Sequence, residues 1–77
     1  MALDALVWVL GDVPRSERFL GLTGLTPDSL RASLGEPATL AAVLEFLCAH
    51  EPDLVAAAEA MGRDPAELVR ARGALAS

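Results

Sequence analysis

Five prolines divide this sequence into short segments of similar length, and they limit its architecture more than any other feature. They stand at Pro14, Pro27, Pro37, Pro52 and Pro65. A proline in the first turn of a helix loses no hydrogen bond, whereas a proline in the interior breaks the helix. We therefore expect several short helices that begin at or near these prolines, and no long continuous element.

Apolar residues recur at intervals of three and four between the prolines, which predicts helices. In the first segment the repeat consists of Leu3, Leu6, Val7 and Leu10. These four share one helix face, which we expect to be buried. Alternation with a period of two extends nowhere over the length of a strand. The composition favours helix as well, because alanine and leucine are strong helix formers and the strand formers isoleucine and tyrosine are absent.

Capping motifs predict where the helices begin and end. Asp12 and Thr26 are expected N-caps, since their side-chain oxygens can accept from free amides one turn on. The run Asp-Pro-Ala-Glu at 64–67 predicts a capping box. Gly24 suits the left-handed position that ends a helix. The first three predicted helices are about 2–10, 13 to Gly24 and 27 to Gly35. The next three are 37–49, a helix that begins again at 50–53 and ends at Gly62, and a helix from 65 onward.

The segment 37–49 is apolar around most of its circumference, which is typical of a helix in the middle of a bundle. We expect Leu40, Leu44 and Leu47 to be nearly fully buried. The predicted fold is a single small helical domain over residues 1–77: an all-α, compact bundle of five or six short helices with the 37–49 helix central.

Three stretches resemble a known family. They are 18–31 (RFLGLTGLTPDSLR), 41–47 (AAVLEFL) and 50–54 (HEPDL). The family is domain-of-unknown-function family three-five-seven-two, a small uncharacterised group from alphaproteobacteria, and the resemblance covers nearly the whole chain. It implies a bacterial source and a compact helical domain. It implies no activity, so no functional residues are carried over.

Charge and cysteine content exclude several classes of protein. The net charge is −5 and lysine is absent, which makes a nucleic-acid partner unlikely. No stretch approaches the roughly 20 apolar residues of a bilayer span, so we expect no membrane association. One cysteine excludes an intramolecular disulfide framework and a cysteine-rich zinc site. The start of the sequence lacks the basic region of a signal peptide, and we expect a cytoplasmic protein.

The chain contains no convincing catalytic or metal motif. Cys48, His50 and Glu51 lie close in sequence, but Cys48 and His50 are two residues apart and point away from each other on a helix. We expect Cys48 to be a small core residue and His50 a helix-end residue. The carboxylates stand mostly at helix starts, where capping explains them. We therefore predict that the protein is not an enzyme and uses no metal or cofactor.

Two functions from different classes remain. The first is a non-catalytic protein-interaction or structural module. The alternative is a helix-turn-helix-like DNA-binding regulator acting as a dimer or with a basic partner, since 30–40 has the outline of helix, glycine turn and second helix. The second helix, however, contains no Arg, Lys, Asn or Gln to read base edges.

Trp8, the only tryptophan, offers the one interaction surface that the sequence indicates. It lies about 100° around the first helix from Val7. In one interpretation it packs at the margin of the core. In the other, Trp8 and Val9 belong to an association surface that binds a partner protein or a second copy of the chain as a homodimer, because tryptophans are frequent at hot spots of interfaces.

Overall fold

The computed structural model describes residues 2–76, which form six helices and no strand. The helices are α1 (Ala2–Leu10), α2 (Val13–Thr23), α3 (Pro27–Ala32), α4 (Pro37–Cys48), α5 (Glu51–Met61) and α6 (Pro65–Ala76). Each proline stands in the first turn of its helix. The predicted all-α bundle is confirmed.

The ends of α2 and α5 follow the predicted capping pattern. The Asp12 carboxylate accepts from the backbone amide of Arg15 at 3.0 Å and caps α2. Gly24 ends this helix with a φ of 74°, and Gly62 ends α5 with a φ of 66°. Both glycines therefore occupy the left-handed region, where a side chain would be strained.

The capping box lies at a different helix from the predicted one. At the start of α3, the Ser29 amide donates to the Thr26 hydroxyl at 3.1 Å and the Thr26 amide donates to the Ser29 hydroxyl at 2.8 Å. At the start of α6, Asp64 accepts from the Ala66 amide at 2.9 Å, as a cap should. The Glu67 carboxylate instead accepts from Arg63 at 3.1 Å, so the expected box at 64–67 is wrong.

Helix α3 is shorter than predicted. It ends at Ala32, and the Ser33 hydroxyl donates to the Ser29 carbonyl at 2.9 Å and to the Leu30 carbonyl at 3.2 Å. A serine that bonds to the preceding turn competes with continuation of the helix. Leu34, which the predicted helix from 27 to Gly35 included, consequently lies half-buried in the turn that follows.

Helix α4 occupies the centre of the bundle and packs against α1, α2, α5 and α6, as predicted. Leu44 and Leu47 are fully buried. Leu40 is only half-buried, so that part of the expectation is wrong. The buried arc extends instead over Thr39, Val43 and Phe46.

Phe19 of α2 packs against the Phe46 end of this buried arc. It is fully buried and meets the Phe46 ring edge-on, with 5.3 Å between the ring centroids and 80° between their planes. Such an edge-to-face pair stabilises by about 0.5–1.5 kcal/mol beyond the buried area. Helix α2 therefore covers the Phe46 side of α4.

Helix α1 is turned relative to the prediction. Ala5, Leu6 and Val9 are buried against the core, whereas Leu3, Val7 and Leu10 are exposed. Every residue of α1 except Asp4 is apolar, so helical spacing is satisfied by more than one face. The face with the small alanines packs inward, and three of the larger aliphatic side chains remain outside.

Candidate interaction surface

Arg15 covers the tryptophan that the sequence singled out. Its guanidinium carbon lies 3.5 Å from the centroid of the Trp8 ring. The same guanidinium group donates to the carbonyls of Trp8 and Val9, the latter from Nε at 3.3 Å. Trp8 is half-buried and packs at the margin of the core.

Val9 does not belong to the surface at all. Its side chain is fully buried, because it shares the inward face of α1 with Ala5 and Leu6. The expectation that Val9 contributes to an association surface is therefore wrong. The role of Trp8 in association stays a prediction, with one face of its ring already occupied by Arg15.

The exposed apolar surface of α1 lies on another side of the helix. Leu3, Val7 and Leu10 are 53%, 70% and 42% exposed. Their spacing of four and three residues places them in one line along α1. We call these three residues the α1 ridge. Sequence reasoning found all three but assigned them to the core.

A shallow apolar cavity adjoins the ridge. Its volume is about 240 Å³, and it is lined by Leu10, Ser16, Leu20, Pro27, Leu30, Arg31 and Leu34. We call it the α2–α3 cavity. Leu10 belongs to both features, so ridge and cavity form one continuous surface. The sequence gives no sign of the cavity, because its walls come from three helices and a turn.

Two charged residues border this surface. Asp4 stands one turn before Val7 on α1. Arg31 lines the cavity, and its side chain is 77% exposed. Its Nη1 lies 3.5 Å from an exposed carboxylate oxygen of Asp28, a type of pair that contributes little to stability. The surface thus combines an apolar centre with an acidic residue, Asp4, at one margin and the exposed Arg31–Asp28 pair at the cavity.

A family model matches residues 1–77 and so covers the whole chain. The chain belongs to the family described as protein of unknown function, DUF3572. The family resemblance noted in the sequence is thereby confirmed. Comparison with curated proteins gave no significant match, and comparison with solved structures gave none either.

The residues that could suggest catalysis in this DUF3572 domain are not brought together. His50 Nδ1 lies 3.0 Å from Asp53 Oδ2, and the same carboxylate oxygen pairs with Arg18. Asp53 thus joins α2 to the start of α5, where His50 is the N-cap residue. Within residues 2–76, no three His, Cys, Asp or Glu side chains are close enough to hold a metal ion.

Cys48 is the last residue of α4, two positions before His50. It is half-buried and packs against the core. Burial raises the pKa of the Cys48 thiol; Arg72 lowers the pKa and Glu45 raises it by smaller amounts. A raised pKa keeps the sulfur protonated at neutral pH, which is the unreactive form.

The Arg18–Asp53 pair was missed by sequence reasoning. The two residues are far apart in the chain, and no periodicity connects them. Only the spacing of His50 and Asp53, three residues apart at the start of a helix, could have indicated a local contact.

The segment proposed as a recognition helix is α4, which forms the core of this family member. Five of its twelve residues are buried. A recognition helix must present one face to the major groove, whereas α4 is surrounded by α1, α2, α5 and α6. None of the helices over residues 2–76 has the length and hydropathy needed to cross a bilayer.

Proposed function

We propose that this domain is a non-catalytic protein-interaction module whose contact surface is the α1 ridge together with the α2–α3 cavity. The observation that carries the proposal is the exposure of Leu3, Val7 and Leu10 in one line that continues into an apolar cavity. Large apolar patches that adjoin a groove mark interaction sites in soluble proteins.

The exposure of the ridge is energetically unfavourable for the isolated chain. Full burial of a leucine or valine side chain stabilises by about 1.5–3 kcal/mol. The ridge leaves roughly half of that gain unrealised at each of its three residues. Covering it would therefore contribute about 2–5 kcal/mol toward association.

The surface favours an amphipathic helix as its occupant. A helix offers aliphatic side chains at intervals of three and four, which match the linear ridge, and it can place one or two of them in the cavity. Arg31 at the cavity margin favours a carboxylate on that helix. The proposed partner is thus a protein helix with an apolar stripe and an acidic flank.

The DNA-binding alternative receives no support from this surface. The net charge is −5, and the helix that would enter the groove forms the core. A cytoplasmic location is part of the proposal, since the single cysteine is a free thiol, as is usual in a reducing compartment.

Site-specific photo-crosslinking in cells of the source organism tests the proposed function. A photoreactive phenylalanine analogue is placed at Val7 and, as a control, at Val55, an exposed valine of α5. We expect a discrete adduct from position 7 that position 55 does not give. The same analogue placed at Leu3 should also form an adduct. That adduct should be lost when the substitution Val7→Glu is introduced into the same chain. Equal adducts at both positions, or none at position 7, would refute the proposal.

A further inference from the structure

We propose that the helix received by this surface is α1 of a second copy of the chain, so that two copies form a two-fold symmetric dimer. This inference rests on the proposed function and names its partner. In a two-fold interface each copy contributes the same patch, so a feature that lies away from the axis meets a different feature of the other copy. The surface meets this requirement because it contains a ridge and a cavity side by side.

Leu10 determines the arrangement, since it belongs to the ridge and lines the cavity. A two-fold axis near Leu10 places Leu3 and Val7 of one copy over the cavity of the other. The ridge spans about 10 Å from Leu3 to Leu10 at 1.5 Å per residue. The same rotation returns the ridge of the second copy to the first cavity, so both apolar features are covered at once.

Charge complementarity supports this occupant. Asp4 lies in the first turn of α1, at the end of the ridge away from Leu10, whereas Arg31 lines the cavity together with Leu10 and pairs with the exposed Asp28 at 3.5 Å. The two-fold rotation therefore brings the Asp4 carboxylate of each copy toward the Arg31 guanidinium of the other. Helix α1 is also the kind of helix that the surface favours, with aliphatic residues in one line and an acidic flank.

The whole-molecule charge opposes association. Each copy carries a net charge of −5, and the two copies repel over a distance set by the salt concentration. Added salt screens this long-range repulsion more than it weakens the two short-range Asp4–Arg31 attractions, and it does not weaken the apolar contacts. Dimerisation should therefore strengthen as salt rises, the opposite of what a complex held mainly by charge shows.

Sedimentation equilibrium over a concentration series of the full chain tests the inference. We expect a reversible monomer–dimer equilibrium that shifts toward dimer at higher salt. Val7→Glu should raise the dissociation constant by roughly tenfold or more, because it places a carboxylate in the apolar centre. Val55→Glu makes the same change at an exposed valine of α5 and should leave the constant unchanged. Circular dichroism confirms that both variants are folded.

Charge reversal provides a second, independent measurement. Asp4→Arg lowers the net negative charge and Arg31→Asp raises it, yet each single variant should weaken the dimer. The double variant has the net charge of the original chain, and it should restore dimerisation. A nonspecific charge effect would instead make Asp4→Arg associate more strongly.

Several results would overturn the inference. One is a chain that stays monomeric at every concentration. The others are a dimer whose dissociation constant Val7→Glu leaves unchanged, and a double charge-reversal variant that dimerises no more strongly than either single variant. A monomer that still gives the position-7 adduct with a different protein would overturn only the dimer. The absence of any position-7 adduct would remove the proposed function as well.

Discussion

Arg15→Ala is expected to loosen the corner between α1 and α2, because one side chain ties the two helices together there. The guanidinium lies over Trp8 and donates to the carbonyls of Trp8 and Val9. Carbonyls in the last turn of a helix lack the usual amide partner four residues on, and here the Trp8 carbonyl also accepts from the Gly11 amide at 3.2 Å. The substitution leaves both carbonyls without this donor and uncovers one face of the indole ring.

The size of the effect follows from the interactions that the substitution removes. A partly buried cation–π interaction is worth about 0.5–2 kcal/mol, and a hydrogen bond that involves a charged group about 1.5–3 kcal/mol. These interactions share one side chain, so their energies do not add, and water replaces part of the bonding. We expect the free energy of unfolding to fall by about 2–3 kcal/mol, which lowers Tm by roughly 10–20 °C in a domain of this size.

Urea unfolding followed by circular dichroism measures this decrease in stability. Arg15→Lys retains the charge but not the planar fork, so it should lie between the original chain and Arg15→Ala. Arg70→Ala removes the same charge from an exposed position of α6 and should change stability by less than about 0.5 kcal/mol. Trp8 emission should shift to the red in Arg15→Ala alone. An Arg15→Ala variant as stable as Arg70→Ala, with unchanged emission, would refute the role of Arg15 at this corner.

Three further outcomes are expected from the core, the thiol and the helix ends. Leu44→Ala should lower the free energy of unfolding by about 2–5 kcal/mol, and a thermal melt displaced by only a degree or so would contradict its central place. Burial raises the pKa of Cys48, so a thiol reagent should label it slowly at neutral pH, faster as pH rises, and fastest in denaturant; rapid labelling of the native protein would contradict this. Gly62→Ala should destabilise by about 1 kcal/mol because its φ is 66°. Gly21→Ala, inside α2 with open space around it, should stabilise by about 0.5–1 kcal/mol; equal effects of the two glycine substitutions in calorimetry would refute the backbone argument.

Most helix bounds, though not the end of α3, were predictable because their signals are local. Each proline fixes φ and lacks an amide proton, and each left-handed glycine relieves a steric penalty, whatever the rest of the chain does. The start of α2 at Val13 and its end before Gly24 depend only on such neighbours. The error at 64–67 is local as well: Arg63 lies four residues before Glu67 and binds the carboxylate that the capping box required.

The proposed interaction surface was not predictable from the sequence, because it depends on which of several apolar faces of α1 packs inward. Spacing placed Leu3 and Val7 in the core, but α1 satisfies the same spacing when Ala5 and Val9 face α4. Only the shape of the neighbouring helices decides between these rotations, and that information is spread over the whole chain. The cavity beside Leu10 depends on tertiary packing in the same way.

The inward face of α1 determines how firmly this helix is held. Its two alanines bury little apolar area, and nine residues are too few to form a stable helix alone in water. Amide protons of α1 should therefore exchange with solvent through local opening at a lower free energy than those of α4. A molecule that covers the ridge binds α1 only while the helix is packed on the core. It must therefore slow amide exchange in α1, and the decrease in rate is proportional to the fraction of ridges that are covered. A partner on the proposed surface would thus increase the order of α1, and the exchange rate of this helix would report directly whether the surface is filled.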